Sequence, residues 1–146
     1  MNTGIPLIKQ FEGLRLTSYL CPSGLATIGF GATFYENGSR VQLNERITID
    51  RADKLLLMQV RLFEDEVRKS VRSSINHNQL GALTSFCFNI GGAAFSRSTL
   101  ARKANANPND PTIRNEFMRW TRGGGKVLPG LVRRREAESN LYFQTP

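Results

Sequence analysis

Between Ile49 and Ser70 the apolar residues fall into one stripe. Ala52, Leu56, Val60, Phe63, Val67 and Val71 follow at steps of 4, 4, 3, 4 and 4, the period of an α-helix with a single buried face. Thr48 or Asp50 can cap its start. With Thr48 as the cap, Arg51 stands where a capping-box Glu would be, so that box is absent. No other segment is as strongly patterned, and the layout of the chain is set by what lies on either side of it.

The part before this helix is short and mixed. Ile5, Ile8 and Phe11 recur at helical spacing and predict a helix over Ile5 to Glu12, with Pro6 tolerated in its first turn and Gly13 as its exit. Leu16 to Leu20 and Ala26 to Phe30 read as two strands around the turn Cys21-Pro22-Ser23-Gly24. Tyr35 to Arg40 reads as a further turn. The part after it is helical. Asn76 or Asn78 opens a helix burying Ala82, Leu83, Phe86, Cys87 and Ile90, and Gly91-Gly92 ends it. Ser98 begins a helix to about Ala104, followed by a loop over 105–109. Asp110-Pro111 launches a helix to Trp120 as cap and N1 proline. Gly123-Gly124-Gly125 reads as a flexible joint, and Pro129-Gly130 starts a last, basic helix to about Tyr142.

The predicted fold is therefore α+β and mostly helical, in one domain over residues 1–146. A small β-containing lobe covers about 13–48, a connecting helix about 49–70, and a helical lobe 71–146 together with the N-terminal helix. A length of 146 residues suits one domain or two small lobes sharing a connection. With 40% hydrophobic and 22% charged residues, a disordered tail, a collagen-like fibre and a membrane bundle are excluded. The longest strongly apolar run, Leu55 to Met58, is far too short to span a bilayer. Met1 to Pro6 show no secretory signal.

Charge is uneven. Residues 1–96 hold 10 Lys+Arg against 8 Asp+Glu, and residues 97–146 hold 10 against 4, giving a net +8 overall. A basic half implies a polyanionic partner: nucleic acid, an acidic membrane face or an anionic wall polymer. Two cysteines, Cys21 and Cys87, are too few for a disulfide scaffold.

Glu12 falls where helix meets hairpin. A carboxylic acid desolvated there would hold its proton and could donate it, although a solvated surface Glu is the commoner case. Cys21 and Thr27 stand at opposite ends of the hairpin turn and could face the same cleft. A thiolate is a strong nucleophile, yet an unperturbed Cys has a pKa near ~8.5 and is mostly thiol at neutral pH. A small turn residue is the plainer reading. Three motifs fail. Gly123-Gly124-Gly125-Lys126 lacks the first Gly of a phosphate loop, because Trp120 stands there. Neither cysteine has a peptidase signature with His77, and one His without a Cys pair cannot build a metal site. Arg133-Arg134-Arg135 reads as a solvated helix face, with a partner-binding face as the alternative. Ser139 to Gln144 resembles part of a protease tag-cleavage site without its upstream Glu, and is read as a native end.

Taken in order, four segments resemble one family. Glu12-Gly13-Leu14-Arg15-Leu16, Tyr19 and Thr27-Ile28-Gly29-Phe30-Gly31 are similar to the catalytic stretch of the phage-type lysozymes (endolysins, glycoside hydrolase family 24). The spacing of Glu12, Cys21 and Thr27 is that family's catalytic spacing, whose middle position is Asp or, in some members, Cys. Asn78-Gln79 to Gly91, then Phe95 with Ser98-Thr99-Leu100, then Arg119-Trp120 with Gly124 to Leu131 and Arg133-Arg134, agree as well. The resemblance covers about residues 5–142.

The resemblance implies a two-lobed fold and hydrolysis of the β-1,4 bond between N-acetylmuramic acid and N-acetylglucosamine in peptidoglycan. It implies no cofactor and no metal. Glu12 would be the general acid, Cys21 would occupy the second-carboxylate position, and Thr27 would orient the attacking water. Phe88, Asn89 and, more loosely, Thr99 match the substrate-binding positions. Arg133 or Arg134 would pair with Glu12. In an inverting enzyme the two catalytic groups would stand roughly 6.5–9.5 Å apart. Cys21 would be a thiolate favoured by Arg15 or another cation, a direct nucleophile, or a weaker water-orienting group. Ala32 stands where many relatives carry His. Some relatives regulate by thiol exchange, but they also carry an N-terminal anchor segment that is absent here.

The implied partners are peptidoglycan and, through the basic C-terminal helix, anionic wall polymers or an outer-membrane surface. Nucleic acid is not among them, and the protein is expected to be a monomer. It would accumulate in the cytoplasm of the infected host until a holin opens the membrane, then act at the wall. Two rivals remain at this level: a catalytically dead wall-binding module, favoured by Cys21, and a basic nucleic-acid binder, which explains the charge but not the Glu12/Cys21/Thr27 spacing.

Overall fold

The apolar stripe forms the predicted helix, α2 (Ile49–Ser70), within the bounds expected. The computed structural model describes residues 1–146. Thr48 caps α2: its Oγ1 accepts from the Arg51 N–H at 3.1 Å. Ala52, Leu56, Val60 and Val67 are buried as the stripe requires, and Leu55 joins them. Phe63 is only half-buried, and Val71 packs one residue beyond the helix end. No helix is long and apolar enough to cross a membrane.

The chain divides into two compact units, Ile8–Leu62 and Met1–Leu7 with Phe63–Pro146. The helix α1 (Ile5–Glu12) and α2 each pass from one unit into the other. The sequence grouping placed all of α1 with the helical lobe, whereas Ile8 to Glu12 fall in the β-containing unit.

The unit Ile8–Leu62 is built on an antiparallel hairpin of β1 (Arg15–Leu20) and β2 (Ala26–Gly29), with Tyr19 opposite Thr27 and Leu20 opposite Ala26. Its core is Ile8, Ile28, Phe30, Ala32, Tyr35, Val41 and Ile47 against the buried face of α2. Gly29 is favoured by its backbone: its φ is +67°, a left-handed conformation that side-chain-bearing residues rarely adopt. The expected turn after it is present, with Tyr35 N–H on Ser39 O and Gly38 N–H on Tyr35 O. Glu45 ties this turn to the rest by accepting from Tyr35 Oη at 2.9 Å and from the Gln42 N–H at 2.6 Å.

The helical unit is centred on α3 (His77–Ile90), in which Asn78 through Cys87 are all buried. Asn76 is its cap and Gln79 completes a capping box, each side chain accepting from the other's backbone N–H. The N-terminal segment of the chain meets α3 backbone to backbone: a Cβ on Gly81 would lie 2.6 Å from Gly4 N. Gly91, with φ +91°, closes α3 as expected. Gly92 does not extend the break; it opens a short helix, α4 (Gly92–Arg97), that the sequence pattern did not signal. Ser98 caps α5 (Thr99–Ala106), two residues longer than predicted.

Three expectations in this unit need correction. The helix launched by Asp110-Pro111 is shorter: α6 covers Ile113–Met118. Asp110 folds back on the Thr112 N–H at 2.9 Å and on its hydroxyl at 2.6 Å, so its turn chemistry is spent before the helix starts. The three glycines at 123–125 are not a flexible joint. Gly124 and Gly125, with φ of +60° and +80°, form the two-residue turn of a small hairpin, β3 (Arg122–Gly123) with β4 (Lys126–Val127). The last helix, α7 (Pro129–Tyr142), has the predicted bounds, but its arginines are not a solvated face. Arg134 and Arg135 are 3% and 0% exposed, against Glu138 at 0%, and only Arg133 faces solvent. Around them Phe86 meets Phe95, Phe117 and Trp120 edge-on at 6.1, 5.4 and 5.7 Å, and Phe117 meets Tyr142 at 5.8 Å.

Candidate active site

Glu12 is the last residue of α1, and Gly13, with φ +74°, turns the chain into β1. The Glu12 side chain is half-buried. A Cβ on Gly31 would stand 3.5 Å from Glu12 Oε1, and Gly31 itself has φ +97°. A Cβ there would only touch the carboxyl; it is the left-handed backbone that favours glycine beside Glu12.

Cys21 opens the turn between β1 and β2. Its N–H donates to Leu25 O at 2.9 Å, and Gly24 N–H donates to Cys21 O at 2.8 Å. The turn folds Ser23 back so that its Oγ lies 2.8 Å from Cys21 Sγ. These contacts change the acidity of the thiol. Chiefly the Ser23 hydroxyl, then the Leu25 N–H, favour the thiolate and lower its pKa from 9.0 to about 7. The cation proposed for this role is elsewhere: the Arg15 guanidinium lies over the Tyr19 ring at 4.4 Å. Hydrogen bonding, not a neighbouring positive charge, activates the sulfur.

Thr27 is buried on β2, opposite Tyr19. Its hydroxyl donates to Leu25 O at 3.0 Å. The hydrogen being committed there, the oxygen is left as an acceptor. A half-buried carboxyl, a thiol biased toward its anion and an oriented hydroxyl acceptor thus come from one continuous stretch of chain. Such a set can donate one proton and accept another.

Cys87 is a different thiol. It is buried in α3, and burial first, then Glu66, pushes it up to about 12. Both cysteines are free.

The remaining sequence-derived candidates lie in the helical unit. Phe88 is half-buried, with its ring 5.1 Å from that of Phe63. Asn89 is exposed, and its Oδ1 accepts from Arg135 Nη2. Thr99 opens α5, accepts from Arg102 Nη2 at 3.0 Å, and lines a concavity of about 310 Å³ with Arg97, Ser98, Glu116, Arg119 and Trp120. Phe88 and Asn89 do not line that concavity.

Sequence reasoning missed Ser23 and Leu25 beside Cys21, and Arg135 beside Asn89. A polar residue two positions after Cys21 in a Pro-Gly turn was an available signal for Ser23. For Arg135 the one available signal in α7 was Glu138, three residues on.

Comparison with known proteins identifies the family. The family model described as phage lysozyme matches residues 9–138. The chain is 41% identical over 144 residues to the endolysin of Bacillus phage B103, covering 97% of this chain and 53% of that protein. It is 36% identical over 142 residues to the endolysin of Salmonella phage P22, covering 97% of this chain and 96% of that one. It thus spans about half the length of the Bacillus phage relative and nearly all of the Salmonella phage relative. Among solved structures, the endolysin of Escherichia coli O157:H7 phage FAHEc1 superposes with a TM-score of 0.88 at 32% identity, over 99% of this chain and 92% of that one.

Proposed function

The chain belongs to the phage lysozyme family, and from that premise we propose that it is a muramidase that lyses the host by cutting peptidoglycan at the β-1,4 bond from N-acetylmuramic acid to N-acetylglucosamine. The observation that carries this reading is the hydrogen-bonded Cys21 thiol, set with Thr27 in the hairpin that follows Glu12.

In the proposed reaction Glu12 gives its proton to the oxygen of the departing sugar. The bond from that oxygen to C1 breaks, and positive charge develops at the ring. Cys21 takes the role that a carboxylate has in most of the family. As a thiolate it accepts one proton of a water molecule, while Thr27 Oγ1 accepts a hydrogen bond from the other. The lone pair of the water oxygen is then directed at C1, where the new bond forms. A committed Thr27 hydrogen supports this arrangement, because an acceptor is what the water needs at that position. Phe88, Asn89 and Thr99 supply glycan contacts.

The remaining partners follow from chemistry and family. Peptidoglycan and the polymers attached to it are anionic, so a basic surface aids encounter. That surface is carried by Arg122 and Lys126 on the hairpin and by Arg133, not by the buried arginines of α7. The protein acts as a monomer, builds up in the host cytoplasm and reaches the wall once a holin opens the membrane.

The test is reducing-sugar release from purified peptidoglycan by the protein and by Glu12→Gln. New reducing ends that disappear in the variant establish a glycosidase with Glu12 as its acid. Wall binding without release by either protein would replace this reading with a binding module.

A further inference from the structure

We propose that Arg135 is a positioning residue that fixes the orientation of the Asn89 amide, so that its Nδ2 donates a hydrogen bond to an oxygen acceptor of the substrate. The inference rests on the reading that Asn89 touches the glycan, and it specifies the chemistry of that contact.

Arg135 is fully buried on α7, and its fork is held on several sides. Its Nη1 pairs with Glu138 Oε1, its Nε donates to Trp120 O at 2.9 Å, and its plane lies over the Phe86 ring at 4.9 Å. Glu138 is held in turn, because Ser85 Oγ donates to its Oε2 at 2.6 Å and Arg134 Nε lies 3.2 Å from the same oxygen. Arg134 Nη2 donates to Ser85 O at 3.1 Å. The guanidinium therefore has no freedom to follow a neighbour. It is a fixed post, and one of its N–H groups, on Nη2, reaches Asn89 Oδ1.

A guanidinium has five donors and no acceptor. The atom of Asn89 that meets it must be Oδ1. Turning the amide over would set donor against donor beside a buried cation. An exposed asparagine is ordinarily ambivalent and can offer either its oxygen or its nitrogen. Asn89 is not: its Oδ1 is fixed on the guanidinium, and the amide therefore turns its Nδ2 hydrogens away from Arg135, from an exposed position. Charge assistance on Oδ1 also draws electron density from the amide and makes those hydrogens better donors. The acceptors on a peptidoglycan strand that answer such a donor are acetamido carbonyl and carboxylate oxygens.

The test uses soluble peptidoglycan fragments at high salt, where an added charge is screened. Asn89→Asp keeps an acceptor for Arg135 but removes both donors. It is expected to fold normally and to raise KM about tenfold with kcat nearly unchanged, as for the loss of one good hydrogen bond to substrate. Asn89→Ala should behave alike. Arg135→Lys keeps the charge beside Glu138 but not the fork. It should raise KM similarly, and combining it with Asn89→Ala should add nothing further. An unchanged KM in Asn89→Ala would remove the glycan contact itself. A raised KM in Asn89→Ala with a wild-type value in Asn89→Asp would overturn the donor assignment alone. Additive losses in the double variant would overturn the positioning role of Arg135. Should Arg135→Lys not fold, the two Asn89 variants still decide the donor assignment. N-deacetylated fragments separate the two acceptors: the Asn89 dependence vanishes on them for a carbonyl and persists for a carboxylate.

Discussion

At Cys21 the local turn converts an ordinary thiol into one that titrates in the working range. The Ser23 hydroxyl and the Leu25 N–H favour the anion, so deprotonation is complete at a lower pH than for a free cysteine. Alkylation by iodoacetamide should accordingly accelerate as pH rises through about 7, with loss of lytic activity in step, while Cys87, pushed up to about 12, stays unmodified. Peptide mapping across a pH series checks this; retained activity in fully alkylated protein would contradict the role given to Cys21. Cys21→Asp should remain active, since a carboxylate accepts the same proton, and should do so at lower pH than the thiol. Ser23→Ala should move the alkylation midpoint upward toward 9.0, the value without these hydrogen bonds. The residues proposed to do chemistry, Glu12, Cys21 and Thr27, were named from their spacing along the chain, which is local and therefore visible in a sequence. The residues that adjust them were not. Ser23 acts through the exact fold of one turn, and Arg135 reaches Asn89 from a helix far away in sequence.

Elements with internal periodicity, α1 and α2, have the expected bounds, and so does α7, whose start is marked by Pro129. What escaped is set by tertiary contact or by left-handed glycine conformations. Gly123 to Gly125 carry no side chains, so the sequence offers flexibility as the natural reading, while the paired backbone of β3 and β4 removes it. The arginines of α7 escaped for another reason. Polar periodicity cannot tell a solvated cation from one buried on a glutamate, and Glu138 at the i+3 and i+4 positions was the available hint. The close approach of Gly4 and Gly81 gives this scale its own prediction. A Cβ on Gly81 would meet Thr3 Oγ1 at 2.2 Å and Gly4 N at 2.6 Å, so one backbone must move away. Gly81→Ala should destabilise the protein by roughly 2–3 kcal/mol despite its better helix propensity, as overpacking a tight contact does. Thermal denaturation would measure it, and an unchanged or raised Tm would show that the contact yields without cost.

Over the whole molecule the buried charges cancel, Arg134 and Arg135 against Glu116 and Glu138, so the net charge of +8 is carried by the surface that a partner meets. The exposed cations of the C-terminal part, among them Arg122, Lys126 and Arg133, form the surface available to an anionic wall. Replacing Arg122 and Lys126 by Glu should weaken adsorption to peptidoglycan at low salt and leave the Tm nearly unaltered. The difference from wild type should fade above about 0.15 M salt, where the screening length is about 8 Å. Sedimentation with purified walls at two salt concentrations reads this directly. The connectivity carries a last consequence, for the order in which the molecule assembles. Residues 8–62 are continuous and need only neighbours in the chain, whereas Met1–Leu7 belong with residues 63–146. The helical unit can therefore close only after a long excursion of the chain has been brought back on itself, and that loop entropy falls on its folding step alone. In a refolding experiment followed by pulsed hydrogen exchange, the hairpin unit should gain protection early, and the amides of α3 should lag until residues 1–7 return to Gly81.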